Sequence, residues 1–310
     1  MDEFLVVSRL AHFAAVMLLF GASLFSLYAG GGLSKRARVR AAFERWLKNA
    51  LLAATIVALL SALAWWDALA VSMGGSWAEA LSGETLAAVL FDTAFGRVWI
   101  WRLAISVLLI FVLLLARRSD CTLRIRLLVA GMAAALLASL AGVGHAAVQE
   151  GVTGAVHQAA QAVHLIAAGI WVGGLVPLGY VLGKASMERA GEWTATAVHA
   201  LPRFSRVGYF AVSLVLLSGG IIGWLMIGGL PELFDTSYGR VVLVKILLFS
   251  LMTAIALHNR LRLMPRLAAA RRRAKRAPDP RRLLWRSVMA EQGIAPAALT
   301  AASVLGTIQP

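Results

Sequence analysis

Eight apolar runs, each close to the length of helix that crosses a bilayer, leave this chain one kind of fold. They lie at about residues 4–28, 47–66, 98–116, 124–147, 158–183, 206–229, 240–262 and 287–308. A helix needs roughly 20 consecutive apolar residues to cross the hydrocarbon core. Of the 310 residues, 60% are hydrophobic and only 15% are charged, whereas a soluble domain carries roughly 25% charged residues. In lipid every backbone N–H and C=O must find its partner within the segment, so runs of this kind are helices. The expectation is an all-α, polytopic protein, one transmembrane domain over 1–310 with about eight spans.

The charged residues give the topology. A net charge of +15 would suggest nucleic acid in a soluble protein, but here the cations sit in short stretches between apolar runs. All but five of the 30 Lys and Arg residues fall in or beside loops 29–46, 117–123, 184–205 and 263–286; the exceptions are Arg9, Arg97, Arg102, Arg240 and Lys245. The other loops, around 67–97, 148–157 and 230–239, carry Asp67, Glu79, Glu84, Asp92, Glu150, Glu232 and Asp235. Basic loops stay on the cytoplasmic side and contact anionic lipid, so both termini are expected to be periplasmic. The run Arg271–Arg276 reads as a topology determinant, and nucleic acid is excluded as a partner. The first apolar run follows Asp2 and Glu3 rather than a basic segment, and it exceeds a signal-peptide core, so it reads as a retained helix. One cysteine, Cys121, excludes an internal disulfide framework and a Cys-paired metal site.

Two segments recur. Thr93-Ala-Phe-Gly-Arg-Val-Trp-Ile-Trp-Arg102 enters the third span, and Thr236-Ser-Tyr-Gly-Arg-Val-Val-Leu-Val-Lys245 enters the seventh. His12 precedes Gly21 by nine residues in the first span, as His164 precedes Gly173 in the fifth. Both halves begin on the same side, so the pattern predicts a 4+4 parallel repeat with halves 1–150 and 151–310.

On this topology four histidines share a depth near the outer face. His12 lies about two turns inside the first span, at about 1.5 Å per residue; His145 ends the fourth; His157 opens the fifth, and His164 follows it seven residues later on the same face. His199 and His258 fall on the cytoplasmic side. An intramembrane imidazole is costly without a partner and is a functional hypothesis by default. Neutral imidazoles from separate helices bind Cu, Zn, Fe or Ni, and they are also how a bundle ligates haem. Interhelical hydrogen bonding is the structural alternative. Met17 and Met226 are additional soft-ligand candidates, Met73 is placed in an outer loop, and thioethers are also ordinary gap-fillers. Arg102 and Lys245, at matching positions, either snorkel to headgroups or form a cationic pair that holds an anion or gates cations. Pro177 is expected to kink the fifth span, and the pairs Gly173-Gly174 and Gly219-Gly220 to allow close packing. No phosphate-binding loop and no aspartyl-phosphate signature is present, so a nucleotide-driven pump is excluded.

Ser8-Arg9-Leu10-Ala11-His12-Phe13, Gly144-His145-Ala146 and the segment from His164 to Trp171-Val172-Gly173-Gly174 resemble the copper resistance D family. So do Phe204-Ser205, Tyr238-Gly239-Arg240 through Lys245, Asn259-Arg260, and Arg286-Ser287-Val288 with Glu291. The resemblance runs nearly end to end. It implies a bacterial inner-membrane protein of copper homeostasis, not an enzyme, moving periplasmic copper inward. It points to His12, His145 and His164 as functional positions, while His157 rests on spacing. It further implies a separate periplasmic copper-binding partner of the CopC type. A haem b protein with bis-histidine ligation, Arg102 and Lys245 pairing with propionates, is the alternative.

Overall fold

The computed structural model describes residues 2–29, 37–74, 78, 82–117, 122–144, 149–188, 191–270 and 279–308. His145, Cys121 and the run Arg271–Arg276 lie outside the described residues. Among the described residues no strand occurs, and eight helices are long and apolar enough to cross a membrane. They are α1 (Glu3–Ala29), α2 (Ala37–Met73), α3 (Ala94–Arg117), α4 (Leu123–Gly142), α5 (Gly151–Met187), α6 (Glu192–Met226), α7 (Ser237–Leu267) and α8 (Pro280–Leu305).

The helices outrun the apolar stretches. α2 and α5 are 37 residues each and α6 is 35, so segments expected as loops around 67–73, 151–157 and 192–205 are helical. Hydropathy detects only the part of a helix in hydrocarbon, whereas backbone hydrogen bonding continues into the headgroup layer. Met73 accordingly sits on the last turn of α2, exposed, rather than in a loop.

α1 and α5 form the centre of the bundle. Their most apolar stretches are each 67% buried within the protein, against 6% for α7. α1 packs on α2, α4, α5, α6 and α8. It meets α5 where Gly21 faces Gly173: a Cβ on either would strike the other helix's backbone. Without a hydrophobic force between helices in lipid, such small-residue crossings let dispersion contacts form. The two glycines nine residues after His12 and His164 are thus one contact.

The recurring Thr-x-x-Gly-Arg segment has one geometry in both places. A short helix, Gly83–Phe91 or Leu230–Asp235, precedes each span. Thr93 Oγ1 donates to Val89 O at 2.6 Å and accepts from Gly96 N at 2.9 Å. Thr236 Oγ1 donates to Glu232 O at 2.7 Å and accepts from Gly239 N at 2.9 Å. A Cβ at Gly96 or Gly239 would collide with the carbonyls of the preceding short helix, which is why glycine stands there. The hydroxyl satisfies an orphan donor at the start of each span.

Two spans are interrupted by π-helical turns, Gly169–Gly173 in α5 and Asn259–Leu263 in α7. In α5 the turn lies just ahead of Pro177, which has no N–H to bond the carbonyl four residues back. The wide turn accommodates that defect and redirects Trp171.

Candidate functional site

Two intramembrane histidines are held by the same construction. His12 Nδ1 lies 3.0 Å from Ala58 O and 3.1 Å from Ser61 Oγ, on α2. His164 Nδ1 lies 3.1 Å from Ser218 Oγ on α6, with the Val215 carbonyl beside the same ring. Ala58 and Val215 each stand three residues before their serine. Each serine hydroxyl donates back to its own helix, Ser61 to Val57 O at 2.6 Å and Ser218 to Leu214 O. A hydroxyl has one proton, so with that proton committed the imidazole Nδ1–H is the donor in both pairs. Nε2 therefore carries the lone pair in both rings.

What Nε2 meets differs. At His12 it accepts from Arg102, whose guanidinium also donates to Leu136 O and Ser139 Oγ. Arg102 is 1% exposed and lies over the Trp99 ring, 5.1 Å from its centroid. His12 is 1% exposed and sits between Trp65 and Trp99. Every polar atom of that ring has a partner, and α1, α2, α3 and α4 are tied together through it. At His164, Nε2 has no hydrogen-bond partner among the described residues, and the ring faces open space.

That space is a cavity of about 190 Å³ at the end of the bundle where α1, α5 and α7 begin. His157, His164, Met17, Met226, Lys245 and Gln161 line it. His157 is 3% exposed and its Nδ1 is 2.9 Å from Gln149 Oε1. Four of the residues expected as a ligand layer or as additional ligands therefore share one cavity: His157, His164, Met17 and Met226. His12 stands outside the lining, and Gly144, next to His145, contributes to it. No group of three or more His, Cys, Asp or Glu side chains placed to hold a metal occurs among the described residues. An ion there would draw on imidazole nitrogen and thioether sulfur, the donor set of a soft monovalent cation.

Arg102 and Lys245 serve separate groups. Arg102 holds His12, whereas Lys245 faces the cavity close enough for its charge to bear on His164. Arg9 also reaches this cavity, stacked 4.7 Å over the Trp65 ring and donating to Gly306 O at 3.1 Å. No carboxylate lines it among the described residues. Two cations with no carboxylate beside them disfavour any further positive charge there, a divalent ion more than a monovalent one.

Two polar groups carried little signal in the sequence, and a third was visible there without its partners. Ser61 and Ser218 look like ordinary small residues of a spanning helix until the histidines find them. Glu291, in the middle of α8, is 2% exposed and accepts from Trp171 Nε1 at 2.8 Å. A carboxylate within an apolar run is itself the mark that finds it.

Matches to known proteins agree with this architecture. Residues 1–155 match the family described as copper resistance protein D-like, N-terminal domain, and residues 198–305 match copper resistance protein D. Inner membrane protein YebZ of Escherichia coli (strain K12) is 35% identical over 305 residues, 98% of each chain. Copper resistance protein D of Pseudomonas syringae pv. tomato is 29% identical over 315 residues, 100% of this chain and 97% of the relative. Copper transport protein CutJ of Bacillus subtilis (strain 168) is 32% identical over 257 residues, 81% of this chain but 45% of that longer protein. No solved structure matches the chain significantly.

Proposed function

The chain belongs to the copper resistance D family, as a multi-pass inner-membrane protein, and from that premise we propose that it carries periplasmic copper inward through the histidine–methionine cavity. Copper homeostasis in general follows from the family and from relatives named for copper resistance and copper transport. The uptake reading rests on one observation: His157, His164, Met17 and Met226 line one cavity at the bundle end assigned to the periplasm by the distribution of Lys and Arg. Copper is the cargo. His164 is the principal ligand, because its Nδ1–H is anchored and its Nε2 is open, the arrangement in which an outer hydrogen bond orients a metal-binding imidazole. His157 and the two thioethers complete a soft set.

The same reading makes the molecule a single transmembrane domain of two parallel halves, 1–150 and 151–310, with both termini periplasmic. The matched Thr–Gly caps, the matched His–Ser pairs and the Gly21–Gly173 crossing support it. A periplasmic donor of the CopC type would hand over the ion, and transport rather than catalysis is the activity. In the haem alternative Arg102 and Lys245 could pair with propionates, but here Arg102 is engaged by His12, Leu136 and Ser139.

Copper uptake by proteoliposomes of defined orientation tests the proposal. Wild-type protein is expected to load copper from the face bearing the termini, and His164→Ala to abolish loading while keeping its fold. Uptake no faster than in empty liposomes, or a Soret band in the purified protein, overturns it.

A further inference from the structure

A second cavity, about 140 Å³, opens toward the opposite end of the bundle. Leu175, Ser205, Thr253, Asn259, Arg260 and Glu291 are among its lining residues. Among the described residues one side chain borders both cavities: Trp171, on the π-helical turn of α5. Its Nε1–H is fixed by Glu291. The other carboxylate oxygen of Glu291 accepts from Asn259 Nδ2 at 3.5 Å, on the π-helical turn of α7. π-Turns are locally adjustable and recur at functional sites. Here both of them deliver a donor to one buried carboxylate.

Asn259 is 8% exposed, and its Oδ1 is buried without a hydrogen-bond partner among the described residues. A buried amide oxygen left unpaired is costly. A rotation of the amide would turn that oxygen toward Glu291, but an ionised carboxylate has no proton to give it. A protonated one has. The orphan acceptor and the lone carboxylate complement each other once a single proton arrives.

We infer that Glu291 is a proton-binding site on the inner side and that its protonation releases Trp171, opening a passage between the two cavities. The proton enters from water in the inner cavity and forms one O–H bond on the carboxylate; nothing else is made or broken covalently. The indole N–H then faces a neutral acceptor, and a charge-assisted bond is about twice as strong as a neutral one. The acid O–H, its proton still on Glu291, donates a hydrogen bond to Asn259 Oδ1 once the amide has turned. Arg260 and Tyr209 are the other ionisable groups lining this cavity; α5 contributes none, and α8 only Glu291. The inference rests on the transport reading solely for what the proton movement would be coupled to.

The test reads the passage and the proton without copper. In a Cys121→Ser background, Ala298→Cys places a thiol in the outer cavity, away from the proposed ligands. A membrane-impermeant thiol reagent is applied from the inner face of proteoliposomes, and its rate is normalised to labelling of the same cysteine from the outer face. Acidification is expected to raise the normalised rate about tenfold, the loss of a charge-assisted hydrogen bond. Adding Glu291→Gln should make labelling fast at every pH, and adding Trp171→Phe should do the same with the carboxylate intact. Infrared difference spectra should show a protonated-carboxyl band on acidification that Glu291→Gln removes and Trp171→Phe keeps. Labelling independent of pH in the wild-type background overturns the inference. So does a band unaffected by Glu291→Gln, or one governed by sodium rather than by protons. Absent copper uptake alongside these pH responses would sink the copper reading alone.

Discussion

His12 and His164 occupy corresponding places, nine residues before the two crossing glycines, and each presents Nδ1 to a serine and a backbone carbonyl of the next helix. One is closed and the other open. Arg102 fills the space in front of His12 and bonds three groups from α1 and α4, whereas Lys245 stands beside His164 with no hydrogen bond among the described residues. The difference lies in the cation. A planar guanidinium with five donors can bond an imidazole, a carbonyl and a hydroxyl together; a single ammonium has fewer, freely rotating donors. A shared sequence pattern has yielded a rivet at His12 and an open imidazole at His164.

The largest expected effect lies in the rivet. Arg102→Met leaves His12 Nε2 without its donor in a dry interior, at about 1–3 kcal/mol, and removes one bond each from Leu136 O, which keeps the Ser139 hydroxyl at 3.0 Å, and from Ser139 Oγ, at about 0.5–1.5 kcal/mol per bond. A loss of roughly 3–5 kcal/mol is expected by denaturant titration in micelles. Lys245→Met orphans nothing and should stay within about 1 kcal/mol of wild type. Equal losses from the two substitutions would erase the proposed division of labour.

Ligand binding should show the opposite pattern. His164→Ala is expected to weaken copper binding by at least about a hundredfold, the upper range for changes that only touch a ligand's support. Its stability should change little. His12→Ala should leave copper affinity within about threefold and cost about 2 kcal/mol, since Arg102 then loses one of its three acceptors and the bundle the ring that links it to α2. Calorimetric copper titration beside thermal unfolding separates the two. A copper affinity that depends on His12 as strongly as on His164 would restore the four-histidine layer as one site.

The division between closed and open was only partly legible in the sequence. Depth was legible, because topology and a rise of about 1.5 Å per residue place His12, His157 and His164 near one face. Which way a ring points was not. Hydropathy in an all-apolar helix has almost no amphipathic signal, so the facing of His12 is set by α2 and α3 and by no feature of α1 itself. The eight spans were legible because lipid imposes a length and forbids unpaired backbone. Their ends were not, as α2, α5 and α6 continue into the headgroup zone. The π-turns that aim Trp171 and Asn259 at Glu291 left only Pro177 as a trace. Glu291 itself was visible within the family pattern, but its role needed its partners.

Ser218→Ala is a gentler probe of the open half. The His164 ring would keep the Val215 carbonyl beside it but lose the hydroxyl that completes its anchoring. Its Nε2 would point less accurately into the cavity. Loss of such an outer hydrogen bond weakens metal binding by about tenfold or more, and about tenfold weaker copper binding is expected here.

Ser61→Ala, the smallest change, completes the comparison. His12 Nδ1 still has Ala58 O at 3.0 Å, so no donor is orphaned and the cost should be about 0.5 kcal/mol, the low end for one hydrogen bond. Copper affinity should not move at all, since no ion is asked of His12. The two serines make chemically identical contacts, so structural weakening alone would show as equal small stability losses with no change in binding from either. Unequal copper affinities at equal stability would mean that only the ring behind Ser218 meets the metal. Equal copper affinities would mean that the open face of His164 is merely empty space.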